Sequence, residues 1–280
     1  MRHSLFAIFA TLAATATTFA APPREPAEIA KLVGQPATIE IQPAQVNLSG
    51  PLATQQVVLT AKYPDGTVRD LTSVVTFKLE QPEIATLLEG GFLRPKQNGT
   101  TNLVADVAGK TVKVPVKVEK LGEAYQVSFR QHVIAGLNVG GCNAGACHGT
   151  PSGKNGFRLS LRGFDPPLDY IQLTHDVLGR RVDRLDPMAS LMLQKGLGRV
   201  PHEGGARFSA NSVAVEMMVG WMNQGSPDDA PTLAPLKKIE VLPGSRVLRA
   251  PSKWQQLAIM AHFGDNTVRD ATRLTVFSSS

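Results

Sequence analysis

Gln55-Gln56-Val57-Val58-Leu59-Thr60-Ala61-Lys62-Tyr63-Pro64-Asp65-Gly66-Thr67-Val68-Arg69-Asp70-Leu71-Thr72 is met again, altered but recognisable, from Gln255 to Thr272. The second copy reads Gln255-Gln256-Leu257-Ala258-Ile259-Met260-Ala261-His262-Phe263-Gly264-Asp265-Asn266-Thr267-Val268-Arg269-Asp270-Ala271-Thr272. Both glutamines, the alanine, the first aspartate, the Thr-Val-Arg-Asp run and the last threonine are identical, and Phe77 aligns with Phe277. Apolar residues alternate in both: Val57, Leu59, Ala61 and Tyr63, then Leu257, Ile259, Ala261 and Phe263. That period of two predicts a strand with its odd-numbered residues inward. Asp65-Gly66 and Asp265-Asn266 then predict tight turns.

Around the first copy the alternation continues. Ile39 and Ile41 predict one strand, and Val75, Phe77 and Leu79 another. Leu103, Ala105 and Val107 lead through Ala108-Gly109-Lys110 into Val112, Val114, Val116 and Val118, with Lys113, Pro115 and Lys117 between them. Short alternating strands between turns predict a β-sandwich over 36–119, antiparallel, with one wet face per sheet. Pro115 belongs on an edge strand of it. Residues 237–280 predict half of a second sandwich, with Leu257, Ile259 and Phe263 lacking an opposing sheet, so the chain reads as the N-terminal piece of a longer protein.

Residues 121–230 differ. Asp186-Pro187 predicts a helix start and Gly196 its stop, with Leu191 and Met192 inward. A second helix from Asn211 or Ser212 to Gly225 would bury Val215, Met218, Trp221 and Met222. In this segment stand the chain's two cysteines, in Gly141-Cys142-Asn143-Ala144-Gly145-Ala146-Cys147-His148-Gly149. Two thiols followed by an imidazole are what covalent attachment of haem c requires, each thiol adding to a vinyl group while the histidine binds iron. The usual spacing is Cys-x-x-Cys-His; here four residues separate the cysteines. A Cys142–Cys147 disulfide is the main alternative. A zinc site would need a further ligand. With few apolar residues per loop, haem itself is expected to fill this unit's core.

The N-terminus concerns the compartment. Arg2 and His3, the apolar run Leu5 to Ala14 and the small residues to Ala20-Ala21-Pro22-Pro23 read as a secretory signal peptide over 1–21, followed by a linker over 22–35. Export suits both haem attachment and a disulfide. No later run is long enough for a membrane span. A net charge of +6 is scattered, and aromatics are 6% of residues, which does not suit a nucleic-acid platform. No catalytic triad, phosphate loop or HExxH motif is evident, so no enzyme activity is expected of this segment.

The repeat resembles the bacterial immunoglobulin-like domains of group 2, over about 36–119 and again over 237–280, which implies spacer modules without catalytic groups. The middle segment resembles the c-type cytochrome module of secreted multidomain planctomycete-type proteins. The resembling residues are Gly141-Cys142-x4-Cys147-His148-Gly149, Gly153-Lys154-x-Gly156-Phe157-Arg158-Leu159-Ser160-Leu161-Arg162-Gly163, Asp186-Pro187-x-x-Ser190-Leu191, Val200-Pro201-His202-x-Gly204-Gly205-x-Arg207-Phe208 and Trp221-Met222-x-x-Gly225-Ser226-Pro227. It implies a small, mainly α, cytochrome c-like fold over 121–230 with one covalent haem c. Simpler cytochromes of the group carry a Met-Pro-Pro loop before the last helix. Here that loop is Val200-Pro201-His202, which implies His148 as proximal and His202 as distal iron ligand. Met188, Met192, Met217, Met218, Met222, His132 and His175 are the competitors for the sixth position. Arg158, Arg162 and Arg207 are candidates to pair with the propionates, since guanidinium binds carboxylate in a fork. The implied partner is a redox protein, or downstream domains of the same chain.

Overall fold

The computed structural model describes residues 22–278; the expected signal peptide over 1–21 lies outside the described residues. A helix, α1 (Pro26–Val33), precedes ten strands: β1 (Thr38–Gln42), β2 (Val46–Ser49), β3 (Gln55–Gln56), β4 (Val58–Lys62), β5 (Val68–Asp70), β6 (Phe77–Leu79), β7 (Ala85–Leu88), β8 (Phe92–Pro95), β9 (Gly99–Val107) and β10 (Lys110–Glu119). They form one sheet ordered β1-β4-β5, a second ordered β2-β10-β9-β6, and a small sheet β3-β8-β7. The core joins the odd face of β4 to the inner face of β9 and β10: Ile41, Leu59, Ala61 and Tyr63 meet Leu103, Ala105, Val114, Val116 and Val118. The β9–β10 hairpin closes on Ala108 and Gly109, both at positive φ, as a two-residue hairpin between right-twisted strands requires.

Four expectations change. The 22–35 linker contains α1, set by proline in its first turn and Gly34 at its end. Leu32 of α1 is 2% exposed in the sandwich core, and the Tyr63 hydroxyl donates to the Val33 carbonyl. Pro115 lies on a central strand. However, β2 joins β10 only from Val116 onward, so the proline falls just before that ladder. The β2–β10 pairing is parallel, so the sheet is mixed. The even face of β4, expected wet, is dry: Val58 and Thr60 are as buried as Leu59 and Ala61.

The middle unit runs from a π turn, Phe129–Val133, into α2 (Ile134–Val139), followed by α3 (Pro166–Thr174), α4 (Leu191–Gly196) and α5 (Val213–Asn223). Ser212 caps α5 as the sequence indicates, through the Val215 amide. Around Asp186-Pro187 there is instead a single 3-10 turn, and α4 begins after it. Leu193 and Gly196 are the buried residues of α4, whereas Leu191 and Met192 are half-buried. Phe129, Leu137, Leu159, Leu173, Leu193, Met218 and Trp221 fill the interior with side chains. The Phe129 and Trp221 rings pack tilted by 38° with centroids 5.3 Å apart, and the indole N–H donates to the Pro227 carbonyl. Gly136 lets α2 approach α5, since a Cβ there would stand 3.4 Å from that of Ala214.

The third unit has β11 (Leu236–Leu242), β12 (Ala258–Phe263) and β13 (Val268–Asp270), in that sheet order. Its register repeats the first sheet: Ile39↔Ala61 and Thr60↔Asp70 become Ile239↔Ala261 and Met260↔Asp270. Ile259 and Phe263 are buried, but Val241 is 45% exposed where its counterpart Ile41 is 3% exposed. Phe277 is exposed, unlike buried Phe77. Among the described residues no helix is long and apolar enough to cross a membrane.

Residues 24–119 expressed alone should unfold in one cooperative urea transition, whereas 236–278 alone should not. Leu32→Ala should lower the stability of the first fragment by about 2–5 kcal/mol, the cost of a leucine-sized loss in a close-packed core.

Candidate haem-binding loop

The Cys142–His148 loop folds upon itself. The Cys142 amide donates to the Leu137 carbonyl, which hangs the loop from the end of α2. The His148 amide returns to the Cys142 carbonyl, and the Cys147 amide to that of Ala144. Gly149 is required here, because a Cβ would come within 2.2 Å of the Asn143 carbonyl oxygen. Asn143 is fully buried beneath the loop, and both its side-chain polar atoms lack a protein partner. Both cysteines are free and half-buried. Burial, reinforced by the neighbouring Cys147, pushes the Cys142 thiol up to about 11, so it stays protonated at neutral pH.

Tautomers separate the histidines. His148 Nδ1 lies 3.0 Å from the Phe157 carbonyl oxygen. A carbonyl can only accept, so Nδ1 carries the proton and Nε2 keeps its lone pair. His202 repeats this, with Nδ1 2.9 Å from the Gly205 carbonyl oxygen. A histidine that binds metal through Nε2 is oriented in this way. Burial holds His148 below the usual imidazole range, with the nearby His202, Arg181 and Lys195 adding to the effect against the Phe157 carbonyl. His132 is the reverse case. Its Nδ1 accepts from the Ser128 amide, and its Nε2 faces the Tyr125 hydroxyl at 3.5 Å. His175 rests on its neighbour Thr174 at the end of α3. Met217, Met218 and Met222 are core residues of α5, and Met188 and Met192 pack against that core.

All three candidate arginines are exposed and lie on segments that touch the loop. Arg207 donates to Cys147 Sγ at 3.6 Å. The Arg162 amide donates to the Asn143 carbonyl. Arg158 sits between Phe157, whose carbonyl holds His148, and Leu159, whose amide donates to the His148 carbonyl. Among the described residues none of the three pairs with a carboxylate.

Arg181 escaped the sequence reading. It is 3% exposed, stacks 4.4 Å over the Phe157 ring, and donates to the Gly156 carbonyl and to Asp176. The Phe157 ring in turn lies 4.5 Å from the imidazole of His148. Arg181 thus fixes the backbone that fixes His148. Its Arg180-Arg181 context looks like any charged turn, so only its burial distinguishes it. Among the described residues no three His, Cys, Asp or Glu side chains gather as a metal site.

His132 gives a pH test. Burial lowers it from 6.5 to about 4, so the folded chain refuses a proton that the unfolded chain accepts. Stability should be full above pH 6.5 and fall progressively towards pH 4. Urea midpoints across that range should show the slope, and His132→Gln should flatten it.

No family model matches the chain, and no curated protein matches it. Among solved structures, domains 4 and 5 of the S-layer protein SbsC align at 22% identity, covering 30% of this chain and 52% of that one, with a TM-score of 0.26. Domains 5–6 of SbsC align at 22% identity, covering 33% and 48%, with a TM-score of 0.27. The chain thus spans about half the length of the S-layer structures it matches.

Proposed function

We propose that the middle unit is an exported c-type haem module for one-electron transfer, held between immunoglobulin-like spacers. The observation that carries this reading is the pairing of two free thiols with two histidines whose Nδ1 protons are tied to backbone carbonyls. The residues fit the group in kind. Cys142 and Cys147 would hold the group through two thioethers, His148 and His202 would each offer an Nε2 lone pair to its iron, and Arg207, which donates to Cys147 Sγ, would stand beside one linkage. Bound haem supplies a one-electron redox centre. The chain's part is to fix both imidazoles and to exclude other ligands from the iron. Ligation by both histidines would favour electron transfer over oxygen chemistry, because it would leave the iron no position for oxygen. The electron would pass to a partner protein or to other domains of the same protein.

The side-chain-filled core favours a second reading, a structural or adhesion protein whose middle unit needs no haem. Expression with the c-type maturation machinery separates the two. Intact mass should rise by one haem that survives denaturation, with a pyridine haemochrome spectrum to match. Cys142→Ser with Cys147→Ser should abolish it. His202→Ala should turn a low-spin spectrum high-spin and speed carbon monoxide binding, whereas His175→Ala should change nothing. A chain recovered without haem, its cysteines joined or free, would establish the structural reading.

A further inference from the structure

The two copies of the repeat meet, and they meet through the same atoms. In the first copy, Asp70 Oδ1 accepts from the Thr72 amide and hydroxyl. In the second, Asp270 Oδ1 accepts from the Thr272 amide and hydroxyl. The threonine oxygen then accepts from the strand: the Leu59 amide in one copy and the Ile259 amide in the other, both at 2.8 Å. One carboxylate oxygen is therefore used within each copy. The other crosses. Asp70 Oδ2 accepts from the Gln256 amide, across a sequence separation of 186. Asp270 Oδ2 accepts from the Thr54 hydroxyl at 2.9 Å, across 216, and the Gln56 amide also favours its charge. Asp70 is buried and Asp270 half-buried, and among the described residues neither pairs with a cation.

The paired glutamines follow the same rule. Gln55 and Gln255 each donate to the carbonyl of the next residue, and so do Gln56 and Gln256. Gln55 also reaches Met260 Sδ at 3.4 Å. Thr60 pairs with Asp70 and Met260 with Asp270, so these side chains share the even-numbered faces of their sheets. On those faces the central-strand residues Val58, Thr60, Ala258 and Met260 are buried. Buried polar backbone needs partners, and each copy provides the other's.

We propose that the repeat is a clasp, a self-recognition surface whose fitting partner is another copy of the same segment, matched by exchange of one aspartate oxygen each way. The Gln-Gln element and the Asp-x-Thr turn are then a recognition pair rather than strand filler. In this chain the clasp joins the first and third units and closes the polypeptide around the middle one.

Asparagine tests it, because the amide leaves one acceptor oxygen where the carboxylate has two. In the full chain, Asp70→Asn should raise hydrogen exchange of the Gln256 amide roughly tenfold, while amides of β9 and β10 stay unchanged. Thr54→Val should loosen the Asp270 side alone, speeding exchange at Gln56. Asp70→Asn with Asp270→Asn should part the units, with a larger radius of gyration in small-angle scattering and new protease cleavage between residues 243 and 257. A double variant that keeps the compact envelope, or an Asp70→Asn protein with an unaltered Gln256 amide, would overturn the clasp. Thr54→Val keeps the inference open to refutation should the asparagine variants not fold, since unaltered exchange at Gln56 would count against it.

Discussion

From Val58 to Ala61, strand β4 has no wet face. Its odd residues close the sandwich core, its even residue Thr60 lies opposite Asp70, which accepts from Gln256 of the third unit, and Val58, Leu59, Thr60 and Ala61 are all buried. A strand dry on both sides must have every backbone group paired and every side chain fitted. The other elements answer that demand. β1 and β5 pair its backbone, β9 and β10 cover one face, and the Asp70–Thr72 turn satisfies the Leu59 amide where pairing with β5 ends. The third unit reaches the second face with the same device.

Much of this was legible because it is local. Period-two alternation located β4, β9, β10 and β12, and a serine before an apolar run located the start of α5. The repeat revealed that two units share one plan. What stayed hidden depends on partners far along the chain. Alternation in β4 marks Val58 and Thr60 as the wet side, and in the fold both are buried. The identical glutamines were visible as identities, but their task exists only where the copies meet. Helix α1 carries start and stop signals at Pro26 and Gly34, yet its eight residues give too weak a periodic signal to stand out from a linker.

The candidate loop divides in the same way. Cys142, Cys147 and His148 announce themselves by spacing, and the structure keeps them in one turn. The tautomers could not be read from sequence, because each depends on a carbonyl placed by a different loop: Phe157 for His148 and Gly205 for His202. Arg181 belongs to this class as well, a buried cation in an ordinary charged turn. The closed core places the loop at the rim of the middle unit, so chemistry there would not require the interior to open.

Closure between Asp70 and Gln256 has a mechanical meaning. A chain pulled from its two ends normally loads each domain in series. Here the first and third units are fastened directly to each other, and the middle unit hangs from both as a side loop. Tension would cross the junction and bypass the Cys142–His148 loop until the aspartate bonds gave way. The most delicate geometry in the molecule, two imidazoles held by single carbonyl bonds, is thus sheltered from strain by bonds made elsewhere.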